Sequence, residues 1–138
     1  MEHARFISYG YLQEKAAVQE MLEQLRQSLS SLDLERIESH HLYGPKFTRV
    51  ENGTRMEAEA GRQAERDFFG ALARFDSQFK DVRVDVFEHT ALVTCVYEYE
   101  FTVGGETNPG KVYLTFLLVN DGGRWKIIHE GLFQMQEA

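Results

Sequence analysis

From Glu14 onward, Val18, Leu22, Leu25, Leu29 and Leu32 recur at spacings of three and four with Glu and Gln on the opposite side, which predicts an amphipathic first helix. Ser30-Ser31-Leu32-Asp33 interrupts that pattern, and Asp33 is placed to cap a second, shorter helix through Leu34-Glu35-Arg36-Ile37, ahead of His40 and His41. Pro45 limits further helix. Residues 46–50 and 54–56 then flank Glu51-Asn52-Gly53, and an Asn-Gly pair between two such runs predicts a small hairpin. Between Glu57 and Phe79, Ala60, Ala64, Phe68, Leu72, Phe75 and Phe79 keep a helical period, so a third helix of about five or six turns is expected.

The rest of the chain changes period from helix to strand. Four strands are expected over residues 82–88, 91–103, 111–119 and 124–134. They are separated by Glu88-His89-Thr90, by a glycine-rich loop over 104–110, and by the hairpin turn Asn120-Asp121-Gly122-Gly123. Helices gathered ahead of an antiparallel run define an α+β class: three N-terminal helices packed on a strongly bent antiparallel sheet, as one domain over residues 1–138.

Alternation along each strand sorts its faces. Val93, Cys95, Tyr97, Tyr99, Phe101 and Val103 form one set, expected to face the helices, while every charge of that strand falls on the other. In the last strand the same logic puts Trp125, Ile127, His129, Gly131 and Phe133 inward and Lys126, Ile128, Glu130, Leu132 and Gln134 outward. The strand over 111–119 is apolar on both sides. One of its faces therefore needs a cover beyond the helices, and a homodimer through the convex sheet face, with Val96, Ile128 and Leu132 among its apolar positions, is the expected cover.

A net charge of −7 with scattered basic residues argues against nucleic acid. No run approaches the roughly 20 apolar residues of a membrane span. Residues 1–13 mix Glu2, His3 and Arg5 with aromatics rather than forming an export signal, and the single Cys95 rules out an internal disulfide, so a cytoplasmic protein is expected.

If the helices cover the concave face, Phe68, Phe69, Tyr97, Tyr99, Trp125 and His129 either line a mostly aromatic pocket or pack as core. His129 is the candidate catalytic acid or base, because an imidazole near its usual pKa of about 6.5 exchanges a proton at neutral pH. The alternative is a buried structural histidine. Arg49 is either a contact for a ligand anion or the partner of a surface carboxylate. His40 and His41 are adjacent and point apart, so they cannot both join one compact site, and no ligand spacing suggests a metal. No cofactor is expected.

The motif Gly110 to Thr115, the Asp121-Gly122 turn and Trp125-Lys126-Ile127-Ile128-His129 resemble the closing hairpin of the nuclear-transport-factor-2-like superfamily, in particular its SnoaL-like branch. The element order αα-ββ-α-ββββ matches that cone-shaped fold over nearly the whole chain, leaving 1–12 as an N-terminal extension. The resemblance implies a pocket for a small apolar or aromatic molecule, with isomerisation, cyclisation or dehydration as the reactions it would host. A non-catalytic homodimeric association or accessory domain is the alternative it equally implies. Ketosteroid isomerase is similar in its order of elements, but carried over against the Ser31-Leu32-Asp33 break its oxyanion tyrosine falls at about Leu25 and its aspartate base at about Arg49. A guanidinium cannot serve as a carboxylate base, so that enolising mechanism does not transfer.

Overall fold

The computed structural model describes residues 11–135, so most of the expected N-terminal extension lies outside the described residues. Helix α1 (Leu12–Ser30) buries Val18, Leu22, Leu25 and Leu29 of the stripe its sequence spacing predicts, together with Met21, and lies chiefly against the third strand. Leu32 turns the chain out of α1 with a positive φ of 54°. Asp33 then accepts the Arg36 backbone N–H at 3.2 Å as the cap of α2 (Leu34–Ser39). Strands β1 (Thr48–Glu51) and β2 (Thr54–Glu57) close around Asn52-Gly53, both at positive φ, as the Asn-Gly pair requires.

Helix α3 (Ala58–Gly70) is shorter than its expected length. Phe75 and Phe79 belong instead to β3 (Arg74–Phe87), which begins eight residues earlier than expected. Their spacing of four suits a helix face and, being even, suits a strand face equally. Strand β4 (Thr90–Val103) turns at Gly104-Gly105 directly into β5 (Glu106–Asp121), so the glycine-rich stretch expected as a loop is mostly strand. Within it, Gly110 is level with Tyr99, whose ring lies where a Cβ on residue 110 would stand. Strand β6 (Arg124–Gln134) has its expected bounds. The six strands form one curved, unclosed sheet in the order β2-β1-β6-β5-β4-β3, antiparallel except where β1 runs parallel to β6.

The inward set of β4 is as its alternation predicts, with Val93, Cys95 and Tyr97 buried. The β6 faces are not. Leu117 is level with His129 but Leu118 with Ile127, leaving Ile128 as an extra residue in a β-bulge. Trp125 and Ile127 face inward before the bulge, whereas beyond it Glu130, Leu132 and Gln134 take the inner face. His129, expected inward, and Leu132, expected outward, are exchanged for this reason.

The stripe that α3 turns to the sheet is also displaced by one position from the expected Ala60-Ala64-Phe68 line, to Ala58, Gly61, Glu65 and Phe69. Gly61 permits it: a Cβ there would stand 3.1 Å from Phe47 Cε1 and 3.4 Å from Arg49 Cβ. The close approach of α3 to β1 carries Glu65, one turn later, into the interior. Gly61→Val should therefore lift α3 from β1 and cost about 1–3 kcal/mol in urea unfolding. An unchanged midpoint would show that α3 has room to spare there.

Candidate functional site

Between the helices and the concave sheet lies a cavity of about 230 Å³. Its wall is largely apolar and rich in rings, with Phe68, Phe69, Phe75, Phe79, Tyr97, Tyr99 and Phe116 among the lining side chains. The rings pack on one another, Phe79 on Tyr97 at 4.8 Å between centroids and Phe75 on Tyr99 at 5.6 Å. One end is different in kind, because His41, Arg49, Glu65 and Glu130 converge there.

Each member of this quartet comes from a separate element. His41 follows α2 and is fixed by backbone pairing beside the β6 bulge: Leu42 N–H donates to the Ile127 carbonyl and Ile127 N–H to the His40 carbonyl, each at 2.8 Å. Its Nδ1 donates to the Ile37 carbonyl at 2.8 Å, which aims Nε2 at Glu65 Oε1 (3.4 Å) and Glu130 Oε1 (3.6 Å). From β1, Arg49 reaches the same two oxygens with Nη1, at 3.2 and 3.3 Å, and Glu51 with Nη2 at 2.7 Å. Tyr43 donates to the other Glu65 oxygen at 3.4 Å and stacks on the His41 ring, with centroids 5.1 Å apart.

Burial sets the electrostatics. The side chains of His41, Glu65 and Glu130 are 3%, 5% and 6% exposed. Burial alone would strip the charge from His41, but the neighbouring Glu65 and Glu130 carboxylates overcome it and hold the imidazole well above its ordinary pKa. For Glu65 burial wins, joined by the repulsion of Glu130, and its carboxyl is pushed up to about 7. Glu130 is buried as deeply, yet the hydrogen bond from Glu65 and the charges of His41 and Arg49 hold it below the usual carboxylate range. The pair thus shares a proton that rests on Glu65, a carboxyl poised to gain or lose it near neutral pH.

Of the residues expected in a site, Arg49, Phe68, Tyr97 and Tyr99 line the cavity, as does Phe69. Arg49 pairs with one exposed carboxylate, Glu51, as the surface reading has it, and also with two buried ones, Glu65 and Glu130. Trp125 is buried but lies in the core beyond the cavity, near the β5–β6 turn. His129 stands on the opposite side of the sheet, with Nδ1 2.7 Å from Thr48 Oγ1, and cannot act on anything in the cavity. Of the two adjacent histidines, His41 joins the site while His40 turns to Ser28 Oγ at 3.3 Å, its pKa lowered to about 4 by burial and then by the charge of His41. Cys95 is no nucleophile, since burial pushes its thiol up to about 12.

His41, Glu65 and Glu130 offer ligand atoms within 4.8 Å of one another, a spacing open to a cation. Arg49 already contacts both carboxylates, so a divalent ion would add positive charge beside a guanidinium. The donor set fits an internal charge network better than a metal.

A curved α+β sheet that covers an aromatic cavity with a polar end defines a class of pocket-bearing folds, and comparison with known proteins gives the family. The chain belongs to the SnoaL-like family, whose domain profile matches residues 18–133. No curated protein sequence matches it significantly. Among solved structures, a candidate dehydratase of the nuclear-transport-factor-2-like family from Streptomyces avermitilis superposes with a TM-score of 0.81 at 18% identity, covering 91% of this chain and 98% of that one. A candidate scytalone dehydratase from Novosphingobium aromaticivorans gives 0.76 at 16% identity, covering 91% and 86%. A candidate calcium/calmodulin-dependent kinase II association domain from Exiguobacterium sibiricum gives 0.72 at 18%, covering 91% and 95%. At these identities the likeness is one of fold. Among the described residues no helix is long and apolar enough to cross a membrane.

The quartet makes stability depend on pH in a definite sense. Glu65 moves from an ordinary 4.5 to about 7 on folding, so its protonated form stabilises the fold below pH 4.5, and that contribution is lost as pH rises to 7. His41 acts in the same direction from 6.5 upward, whereas Glu130, lowered on folding, contributes above 4.5 and is lost in acid. Glu65→Gln copies the protonated carboxyl. It should gain on wild type by roughly 1–3 kcal/mol between about pH 5 and pH 7.5 in urea unfolding. A constant difference across that range would mean that Glu65 is ionised throughout.

Proposed function

We propose that this protein binds a small, largely apolar or aromatic molecule in the cavity and moves a proton on it, in a dehydration, isomerisation or cyclisation. The observation that carries this is the buried quartet closing one end of an aromatic cavity. Glu65 is the group that takes and returns the proton, since its carboxyl is held near neutral pH. Arg49 Nε is buried with no hydrogen-bond partner, and so has a free donor for a carbonyl or enolate oxygen of the ligand. Glu130 and His41 keep the charge balanced while the proton is away. Phe68, Tyr97 and Tyr99 supply ring surface for the ligand. Membership of the SnoaL-like family, and likeness in fold to candidate dehydratases, support the assignment.

2-Tetralone, a fused-ring ketone with acidic α-hydrogens, is a suitable probe. In D2O the protein should speed exchange of those hydrogens, followed by NMR, and Glu65→Gln should lower the catalysed rate on the order of 10²-fold or more while the ketone still binds. Binding without exchange would leave a binding protein and remove the proton transfer. Failure to bind would remove the pocket assignment itself.

The outer sheet face supports a second role that uses a different surface. Tyr113 and Phe133 are level with each other on β5 and β6 and remain 57% and 49% exposed, with Val96 beside Tyr113 on β4. We propose that this face pairs two copies of the chain, in keeping with the fold likeness to candidate association domains. Sedimentation at micromolar concentration should give a dimer, and Tyr113→Glu a folded monomer. A monomeric wild-type protein would refute the pairing.

A further inference from the structure

Arg49 has a donor edge that the protein itself only half fills. The Nε–H and Nη2–H groups of a guanidinium lie parallel along one side, a fork that matches the two oxygens of a carboxylate. In Arg49 the remaining nitrogen, Nη1, is taken by Glu65 and Glu130, whereas the fork meets a single oxygen, Glu51 Oε1 at 2.7 Å from Nη2. Arg49 Nε is buried and has no hydrogen-bond partner. A buried donor on a charged group is costly to leave unmet, so a second acceptor oxygen on this edge would stabilise the site.

Glu51 is placed to give way. Its side chain is 46% exposed against 12% for Arg49, and it stands beside the β1–β2 turn, where Glu51, Asn52 and Gln134 are exposed residues of the cavity lining. An ion pair with one partner half in water contributes little, so exchanging Glu51 for another anion costs little. Ring surface adjoins the fork. Burial raises the pKa of the Tyr99 hydroxyl, Glu51 adds to the rise and Arg49 opposes it, so both charges lie near that ring. The charge balance favours an anion as well. His41 and Arg49 are cationic and Glu130 is the one carboxyl of the quartet held ionised, so whenever Glu65 holds a proton the quartet carries an excess positive charge.

We infer that the ligand of the cavity is an aromatic carboxylic acid, whose carboxylate displaces Glu51 and takes both donors of the Arg49 fork while its rings lie against Tyr99 and the neighbouring aromatic wall. This rests on the pocket proposed above and names the class of molecule it takes. Glu51 is then an internal stand-in for the acid group of the ligand, and it turns to solvent when the ligand enters. Arg49 Nη1 is 3.2 Å from Glu65 Oε1, so the proton that Glu65 exchanges belongs to an atom near the acid group rather than at the far end of the rings. The volume of about 230 Å³ falls below the roughly 300–1,000 Å³ usual for drug-sized ligands and limits the ring system to about two fused rings.

2-Naphthoate and 2-acetonaphthone test this, since they share a ring system and nearly a shape but only the first is charged. By titration calorimetry at neutral pH, wild-type protein should bind naphthoate roughly tenfold tighter than the ketone, the gain of a paired, charge-assisted contact over a single neutral one. Glu51→Gln removes the competing charge and should tighten naphthoate by about a further fivefold, while shifting the ketone by about twofold or less. Arg49→Lys keeps the charge but not the fork, and in it the preference for naphthoate should fall to about twofold or less. Glu51→Gln alters a half-exposed side chain, so it keeps the test decisive if Arg49→Lys does not fold. Equal affinity of wild type for the two probes, or a naphthoate affinity that Glu51→Gln leaves unchanged, overturns the inference while leaving the pocket in place. A preference that survives Arg49→Lys overturns it too, because the acid group is then held elsewhere. If neither probe binds, the pocket assignment fails and this inference with it.

Discussion

Glu130 is a carboxylate shut away from water, and the interior is arranged around the need to offset it. An ionised carboxyl in so dry a place is tolerable only with positive charge and hydrogen bonds supplied at short range. Here they come from His41 and Arg49, while Glu65 shares its proton. Those partners belong to the segment after α2, to β1 and to α3, so one buried charge ties three parts of the chain to β6. Replacing one partner alone would leave the others uncompensated, which makes the quartet a single unit rather than four contacts.

The charge also has a layered setting that explains which carboxyl carries the proton. Glu38, near the surface, is pulled down to about 2 by the hydrogen bond and charge of Arg66 and then of Arg62. The Arg62 guanidinium stands 5.8 Å over the Tyr43 ring, and Tyr43 in turn stacks on His41 and donates to Glu65. The two arginines outside are thus occupied by Glu38 and do little for the carboxyls within. Glu65 faces Glu130 at close range while sharing His41 and Arg49 with it, and two carboxylates that close cannot both stay ionised comfortably. The result is a carboxyl whose affinity for a proton matches neutral pH.

Much of the framework was legible because its signals are local. The α1 stripe, the Asp33 cap, the Asn52-Gly53 hairpin and the alternation of β4 each depend on a few adjacent residues, and each stands as expected. What was not legible depends on long-range partners. Phe75 and Phe79 fit either period, and only pairing with Phe101 and Tyr97 makes them strand. Gly110 reads as a loop residue until the Tyr99 ring is seen lying over it. The candidate site suffered most, because Ile128 bulges against Leu117 and Leu118 and reverses the parity of every residue after it. That reversal hid Glu130 behind an apparent outer-face position and advanced His129 in its place. Glu65 was hidden by a helical stripe rotated by one position, for which Gly61 was the available clue, and His41 by being weighed only jointly with His40.

The same bulge separates a charged inner face from an apolar outer one. A sheet whose strands alternated without interruption would place His129 and Trp125 together inside and Glu130 with Phe133's neighbours outside, leaving a charge in the middle of an apolar outer face. By inserting Ile128, β6 sends its carboxylate to the cavity and keeps Thr115, Gly131, Phe133 and Tyr113 together on the convex side. The outer face is thereby freed of a buried-charge problem and is suited to contact with another protein surface. The inner face gains a titratable group against a wall of rings. The binding proposed for the cavity and the pairing proposed for the outer face are therefore compatible in one small sheet, since they would use opposite sides of strands whose parity is changed once, at the position where the cavity acquires its charge.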